Sequence, residues 1–153
     1  GSFEMLVRRM SPEYVPPFAL LDYHVMVAKQ GEGDARVQAT IKLRVGDEVM
    51  HTAAEGSGPV EAMDHAIRKA LLPPYPELGG AHLVDSKVRI IEAHLGVPAR
   101  PRVVIESAAG DERWSTVGCS ENIIEASWQA LWDSLELPLL RAGERQAVEA
   151  VAG

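Results

Sequence analysis

The sequence predicts an α+β fold, a tandem pseudo-symmetric β-β-β-α repeat in which antiparallel sheets are covered by helices. Three observations carry this. Residues 46–71 align without gaps on residues 110–135, and eight of the 26 positions are identical: Gly46/Gly110, Asp47/Asp111, Glu48/Glu112, Thr52/Thr116, Glu61/Glu125, Ala62/Ala126, Ala66/Ala130 and Leu71/Leu135. Chance at ordinary residue frequencies would give roughly one or two. Upstream, residues 21–27 echo residues 84–90 at an offset of 63 rather than 64. Within each copy, period-two alternation gives way to helical periodicity.

Residues 1–20 read as a connector, marked by Pro12, Pro16 and Pro17. Gly1-Ser2 reads as a scar of protease cleavage, and the whole as a piece of something longer. Repeat one spans about 21–75 and repeat two about 82–138 of a domain over 21–138, followed by an Ala-rich tail at 139–153, helical or disordered.

In repeat one a strand over about 22–29 sets Tyr23, Val25 and Val27 on one face. A second strand, about 35–45, turns Val37, Ala39, Ile41 and Leu43 inward and Arg36, Gln38, Thr40 and Lys42 outward. Gly46-Asp47 makes a tight turn into a third strand, about 48–55. Gly58 then caps a helix with Pro59 in its first turn and Glu61 placed to reach back. Val60, Met63, Ile67 and Leu71 form its apolar stripe, and Pro73-Pro74 stop it.

Repeat two predicts strands over about 84–94, 102–108 and 112–118, with a break at Gly96-Val97-Pro98 and a turn at Gly110-Asp111. Asn122 caps the last helix and Pro138 is expected to end it. Trp128 and Trp132 widen that helix's apolar face, which implies either a thicker core or a partner surface.

The chain has 153 residues, 46% apolar and 24% charged, the make-up of a globular domain. Its net charge of −7 and its lack of Lys/Arg clusters argue against nucleic-acid and anionic-membrane surfaces. No apolar run approaches the ~18–20 residues that span a bilayer. A single cysteine, Cys119, rules out an internal disulfide and fits a reducing, cytoplasmic compartment.

Catalytic machinery is not visible, and no cofactor or metal is expected. His24, His51, His65, His82 and His94 form no zinc spacing; Ser120 and Ser127 lack a nucleophile-elbow context. Gly56-Ser57-Gly58 lacks the third glycine and lysine of a phosphate loop. Asp22 and Asp85 read as turn-organising residues at strand entrances. What remains is a binding feature. Two helix starts related by the repeat offer amide donors and the positive dipole end to a carboxylate. Glu61 and Glu125 lie beside them for an ammonium, with Val60, Ile123 and Ile124 for an aliphatic side chain. The two starts are expected to come together around one apolar niche.

Residues 114–131, with the block Asn122-Ile123-Ile124-Glu125-Ala126-Ser127, closely resemble the C-terminal signature of citramalate synthases. Residues 55–62 resemble that family's G-N-G-P-V-x-A, with Ser57 where Asn is usual, and residues 3–9 resemble the preceding connector. The resemblance covers the chain to about residue 140. It is to the allosteric regulatory (dimerisation) domain shared by 2-isopropylmalate synthases and citramalate synthases. It implies a non-catalytic homodimeric domain that binds isoleucine as feedback inhibitor of a citramalate synthase condensing acetyl-CoA with pyruvate. Leucine control of a 2-isopropylmalate synthase, or a purely structural dimer module, are the alternatives. It also implies an N-terminal catalytic barrel as partner. Position by position it carries over an effector pocket at Val60 and Glu61, at Leu83, Ser86 and Ile90, at Ala99 and Pro101, and at Asn122, Ile123 and Ile124. Ser86 stands where the family commonly has Tyr.

Overall fold

The computed structural model describes residues 1–91 and 100–152. The elements run α1 (Ser2–Arg9), β1 (Ala19–Ala28), β2 (Arg36–Val45), β3 (Glu48–Gly56), α2 (Pro59–Leu71), a 3₁₀ turn (Pro76–Gly80), β4 (Ala81–Ile91), β5 (Arg100–Ala109), β6 (Glu112–Cys119) and α3 (Ile123–Ala152). They form two three-stranded antiparallel sheets, β1-β2-β3 and β4-β5-β6. The end of the first strand expected in repeat two and the Gly96-Val97-Pro98 break lie outside the described residues.

The duplication extends to fine geometry. Gly46 and Gly110 turn their hairpins at φ of 60° and 58°, a left-handed conformation that suits glycine. β1 bulges between Leu20 and Asp22, and β4 between Leu83 and Asp85. After each bulge the aspartate meets a residue two positions on, Asp22 with His24 at 3.0 Å and Asp85 with Lys87 at 3.8 Å. Both are thus surface pairs at a bulge. The Thr52 hydroxyl donates to the Ala66 carbonyl and that of Thr116 to Ala130, both at 2.7 Å, tying β3 to α2 and β6 to α3.

The alternation read from β2 holds: Val37, Ala39, Ile41 and Leu43 are buried. With Met63, Ile67 and Leu71 of α2, Val103 and Ile105 of β5, and Leu131 and Leu135 of α3, they make one core across both repeats. Trp128 is buried and Trp132 half-buried within this core. Phe18 packs on Trp132 at 4.3 Å between ring centroids, and the two tryptophans meet at 5.2 Å. Their bulk therefore thickens the core of one chain.

One expectation fails. Pro138 does not end α3, which runs on to Ala152 through the stretch expected as a tail. A helical proline leaves the carbonyl four residues earlier without its N–H partner. Here that carbonyl belongs to Ser134, and the indole N–H of Trp114 donates to it at 3.0 Å. The helix continues because β6 supplies the missing donor. At α2, consecutive Pro73 and Pro74 remove two donors, and the helix stops.

The connector also carries structure. Met5 of α1 is fully buried with Ala81, Trp114 and Leu137. Glu4 joins Arg8 at 2.8 Å and Arg141 at 2.5 Å, and Arg8 reaches Glu144. Arg9 meets Asp133 and the fully buried Glu136, which also accepts the Tyr14 hydroxyl. The Arg141 guanidinium, aided by Arg8, holds the Glu4 carboxyl at about 2 against an ordinary 4.5. A carboxyl depressed on folding adds stability above its ordinary value and loses it as pH falls through the folded value. Acidification from about pH 4.5 to pH 2 is therefore expected to loosen α1 from α3. The Met5 methyl resonance should leave its buried position in that window. An unmoved resonance at pH 2 would contradict this attachment.

Candidate functional site

Each helix lies over the second and third strands of its own sheet and offers its first turns to the first strand of the other repeat. At the start of α3 the Tyr23 ring of β1 stacks on Trp128, centroids 5.2 Å apart and planes 13° from parallel. The Tyr23 hydroxyl donates to Glu125 at 2.7 Å. Burial, reinforced by that carboxylate, pushes the Tyr23 phenol up to about 12. At the start of α2 the corresponding space is an open cleft of about 720 Å³ against β4.

The cleft is lined from Ser57 to Glu61, then by Asp64, His65, Arg68 and Leu72 of the helix side, and by Leu78, His82, Leu83 and Ser86 opposite. Its chemistry comes from an incomplete helix cap. Gly58 has no side chain, and no side-chain hydrogen bond caps α2. Pro59 follows it, so the next amides, of Val60 and Glu61, point from the positive end of the helix toward any anion in the cleft. The start of α3 is closed by contrast: Asn122 Oδ1 accepts the N–H groups of Ile124 at 2.8 Å and Glu125 at 3.4 Å. Glu61 turns back to accept the Ser57 hydroxyl at 2.5 Å, one residue before the cap. That hydroxyl, with the Ser57 N–H, holds the Glu61 carboxyl below its ordinary value, and the group is anionic at neutral pH.

The floor is an ion pair. Arg68 Nε donates to both oxygens of the buried Asp64 carboxylate, at 3.0 and 3.1 Å, and its Nη1 to the Ala81 carbonyl at 2.5 Å. This one guanidinium joins α2 to the entrance of β4. His65 Nδ1 lies 3.1 Å from the Glu55 carbonyl.

Of the residues expected to form a pocket, Val60, Glu61, Leu83 and Ser86 meet in this cleft. Ile90 pairs with Pro101 farther along β4 and β5. Ala99 lies outside the described residues. Asn122, Ile123 and Ile124 sit at the start of α3 and are not among the residues lining this cleft. Within one chain each helix start thus lies against a strand of the other repeat. Sequence reasoning missed Asp64 and Arg68. The available signal was their departure from the repeat, since they align with Trp128 and Trp132.

Among the described residues, no group of three or more His, Cys, Asp or Glu is placed to hold a metal, and no helix is long and apolar enough to cross a membrane. Cys119 is exposed and unpaired.

Fold and cleft define the class: a duplicated β-β-β-α module with an open cleft between the start of one repeat's helix and the first strand of the other. The chain belongs to the LeuA allosteric (dimerisation) domain family, whose pattern matches residues 1–138. It is 44% identical over 145 residues to an (R)-citramalate synthase of Geobacter sulfurreducens, covering 94% of this chain and 28% of that protein. An (R)-citramalate synthase of Aquifex aeolicus is 43% identical over the same length, with the same coverage. A 2-isopropylmalate synthase of Shewanella amazonensis is 32% identical over 113 residues, 72% of this chain and 20% of that protein. The chain thus spans little more than a quarter of the length of the citramalate synthases it resembles.

Proposed function

We propose that this domain is a non-catalytic sensor that binds isoleucine in the α2–β4 cleft and feeds back on a citramalate synthase. The observation that carries the reading is the uncapped start of α2 opening into a space with apolar walls and a carboxylate at its rim. The ligand carboxylate would take the Val60 and Glu61 amides, its ammonium would face Glu61, and its branched side chain would lie against Leu72, Leu78 and Leu83. An amino acid neutralises all three features, whereas a purely apolar ligand would leave the amides unmet.

On this reading the parent protein has a catalytic barrel that condenses acetyl-CoA with pyruvate, and the present domain forms its homodimer in the cytoplasm. Val27 and Val88, on the inward-turned faces of β1 and β4 yet 61% and 50% exposed, offer apolar surface to a second copy. Feedback needs the effector to prefer one arrangement of domain and barrel over another, since equal binding shifts no equilibrium.

Isothermal titration tests the proposal. Isoleucine should bind the chain more tightly than leucine or valine. Leucine binding more tightly would favour the second reading, control of a 2-isopropylmalate synthase, which the Shewanella relative supports at lower identity. A dimer by sedimentation with no heat from any of the three at millimolar concentration would leave only a structural module.

A further inference from the structure

The duplication builds one binding frame twice, and only one copy is open. On the strands, Ser86 pairs across from Ile105 as Tyr23 pairs across from Ile41. On the helices, Glu61, Asp64 and Arg68 occupy the places of Glu125, Trp128 and Trp132. With Ser86, Asp64 and Arg68 the frame holds the cleft. With Tyr23, Trp128 and Trp132 it holds a phenol ring stacked on an indole, the hydroxyl meeting the glutamate that corresponds to Glu61. Tyr23 thus has an apolar body against the wall and a donor on the carboxylate, the disposition a small ligand would adopt.

We propose that the start of α3 is a second, latent ligand site for a small phenol, occupied by the chain's own Tyr23 side chain, so that each chain offers one open site. The count of open sites rests on the effector reading of the α2–β4 cleft; the occupancy by Tyr23 does not. Removing the ring leaves a space bounded by Trp128, with Glu125 as acceptor. Two contributions set what fits. Trp128 selects a flat aromatic face by offset stacking, and Glu125 selects a hydrogen-bond donor at the far end.

The test is chemical rescue with p-cresol, the free side chain of tyrosine. Tyr23→Ala is expected to melt about 5–10 °C lower, as truncation of a half-buried aromatic implies for a domain of this size. Millimolar p-cresol should restore at least half of that loss and leave the wild-type chain unmoved. Toluene, which lacks the donor, should restore less, and Glu125→Gln in the Tyr23→Ala background should narrow the gap between the two compounds. Tyr23→Val, which keeps a strand-forming residue, serves the same comparison if the alanine variant does not fold. Equal p-cresol shifts in variant and wild type, or no shift in either, overturn the proposal. Isoleucine plays no part in the readout, so failure of the effector reading and failure of this one are separable.

Discussion

Gly118→Ala should lower the melting temperature by about 10 °C or prevent folding. A methyl group added at Gly118 would lie 1.8 Å from the Ala126 carbonyl oxygen and 2.9 Å from the Ala130 amide nitrogen. Both are helix backbone, so no side chain can swing aside. Overpacking of flexible side chains costs about 1–3 kcal/mol, and this rigid clash should exceed that range. At about 2–4 °C per kcal/mol for a domain of this size, the shift is readily measured by calorimetry. Gly143→Ala gives the opposite sign. Nothing lies within 4 Å of its added methyl, and the site is helical, so the change should stabilise by about 0.5–1 kcal/mol. Equal shifts in the two variants would show that β6 and α3 are farther apart than described.

Arg68→Met should be nearly as damaging. Asp64 is buried, and Arg68 is its salt-bridge partner. Removing one member of a fully buried pair costs about 3–5 kcal/mol, because the remaining charge is stranded. With Arg68 part-buried beside an open cleft, the loss should fall at or below the lower end of that range. The Ala81 carbonyl loses its donor as well, so the entrance of β4 should loosen from α2. The double variant Arg68→Met/Asp64→Leu should recover most of the loss, as it removes the stranded carboxylate. A single variant as stable as the wild type would mean that this ion pair does not hold the cleft floor. A double variant as unstable as the single would place the cost in packing instead of charge.

Much of this architecture is legible in the residues because it is set by short-range chemistry. The alternation of Val37, Ala39, Ile41 and Leu43, the glycines at 46 and 110, and the Pro59 start of α2 act within a few positions of themselves. Their strands, turns and helix stand as expected, with bounds shifted by at most three residues. The failures have a common physical origin in contacts between distant segments. Pro138 reads as a stop until the Trp114 indole, 20 residues away in sequence from Ser134, is seen to satisfy the orphaned carbonyl. That the connector at residues 2–9 is packed emerges likewise only from Met5, buried against Trp114 and Leu137.

The candidate site divides along the same line. Val60 and Glu61 follow from local capping logic, and the cleft contains them. That helix starts would face strands of the other repeat depends on how two sheets dock. No local signal encodes that docking. The repeat did hold a usable clue. Where two copies agree at Glu61/Glu125 yet diverge at Asp64/Trp128 and Arg68/Trp132, the divergence marks an open cleft on one side and a filled one on the other.

On the proposed function the open cleft takes a branched-chain amino acid while its twin does not. Amide chemical-shift mapping of the labelled chain during titration with isoleucine tests it most directly. Perturbations should centre on Val60, Glu61, Leu83 and Ser86 and saturate together, with Ile123, Ile124 and Glu125 unmoved. Perturbations clustered at the start of α3, or none anywhere at millimolar isoleucine, would contradict it.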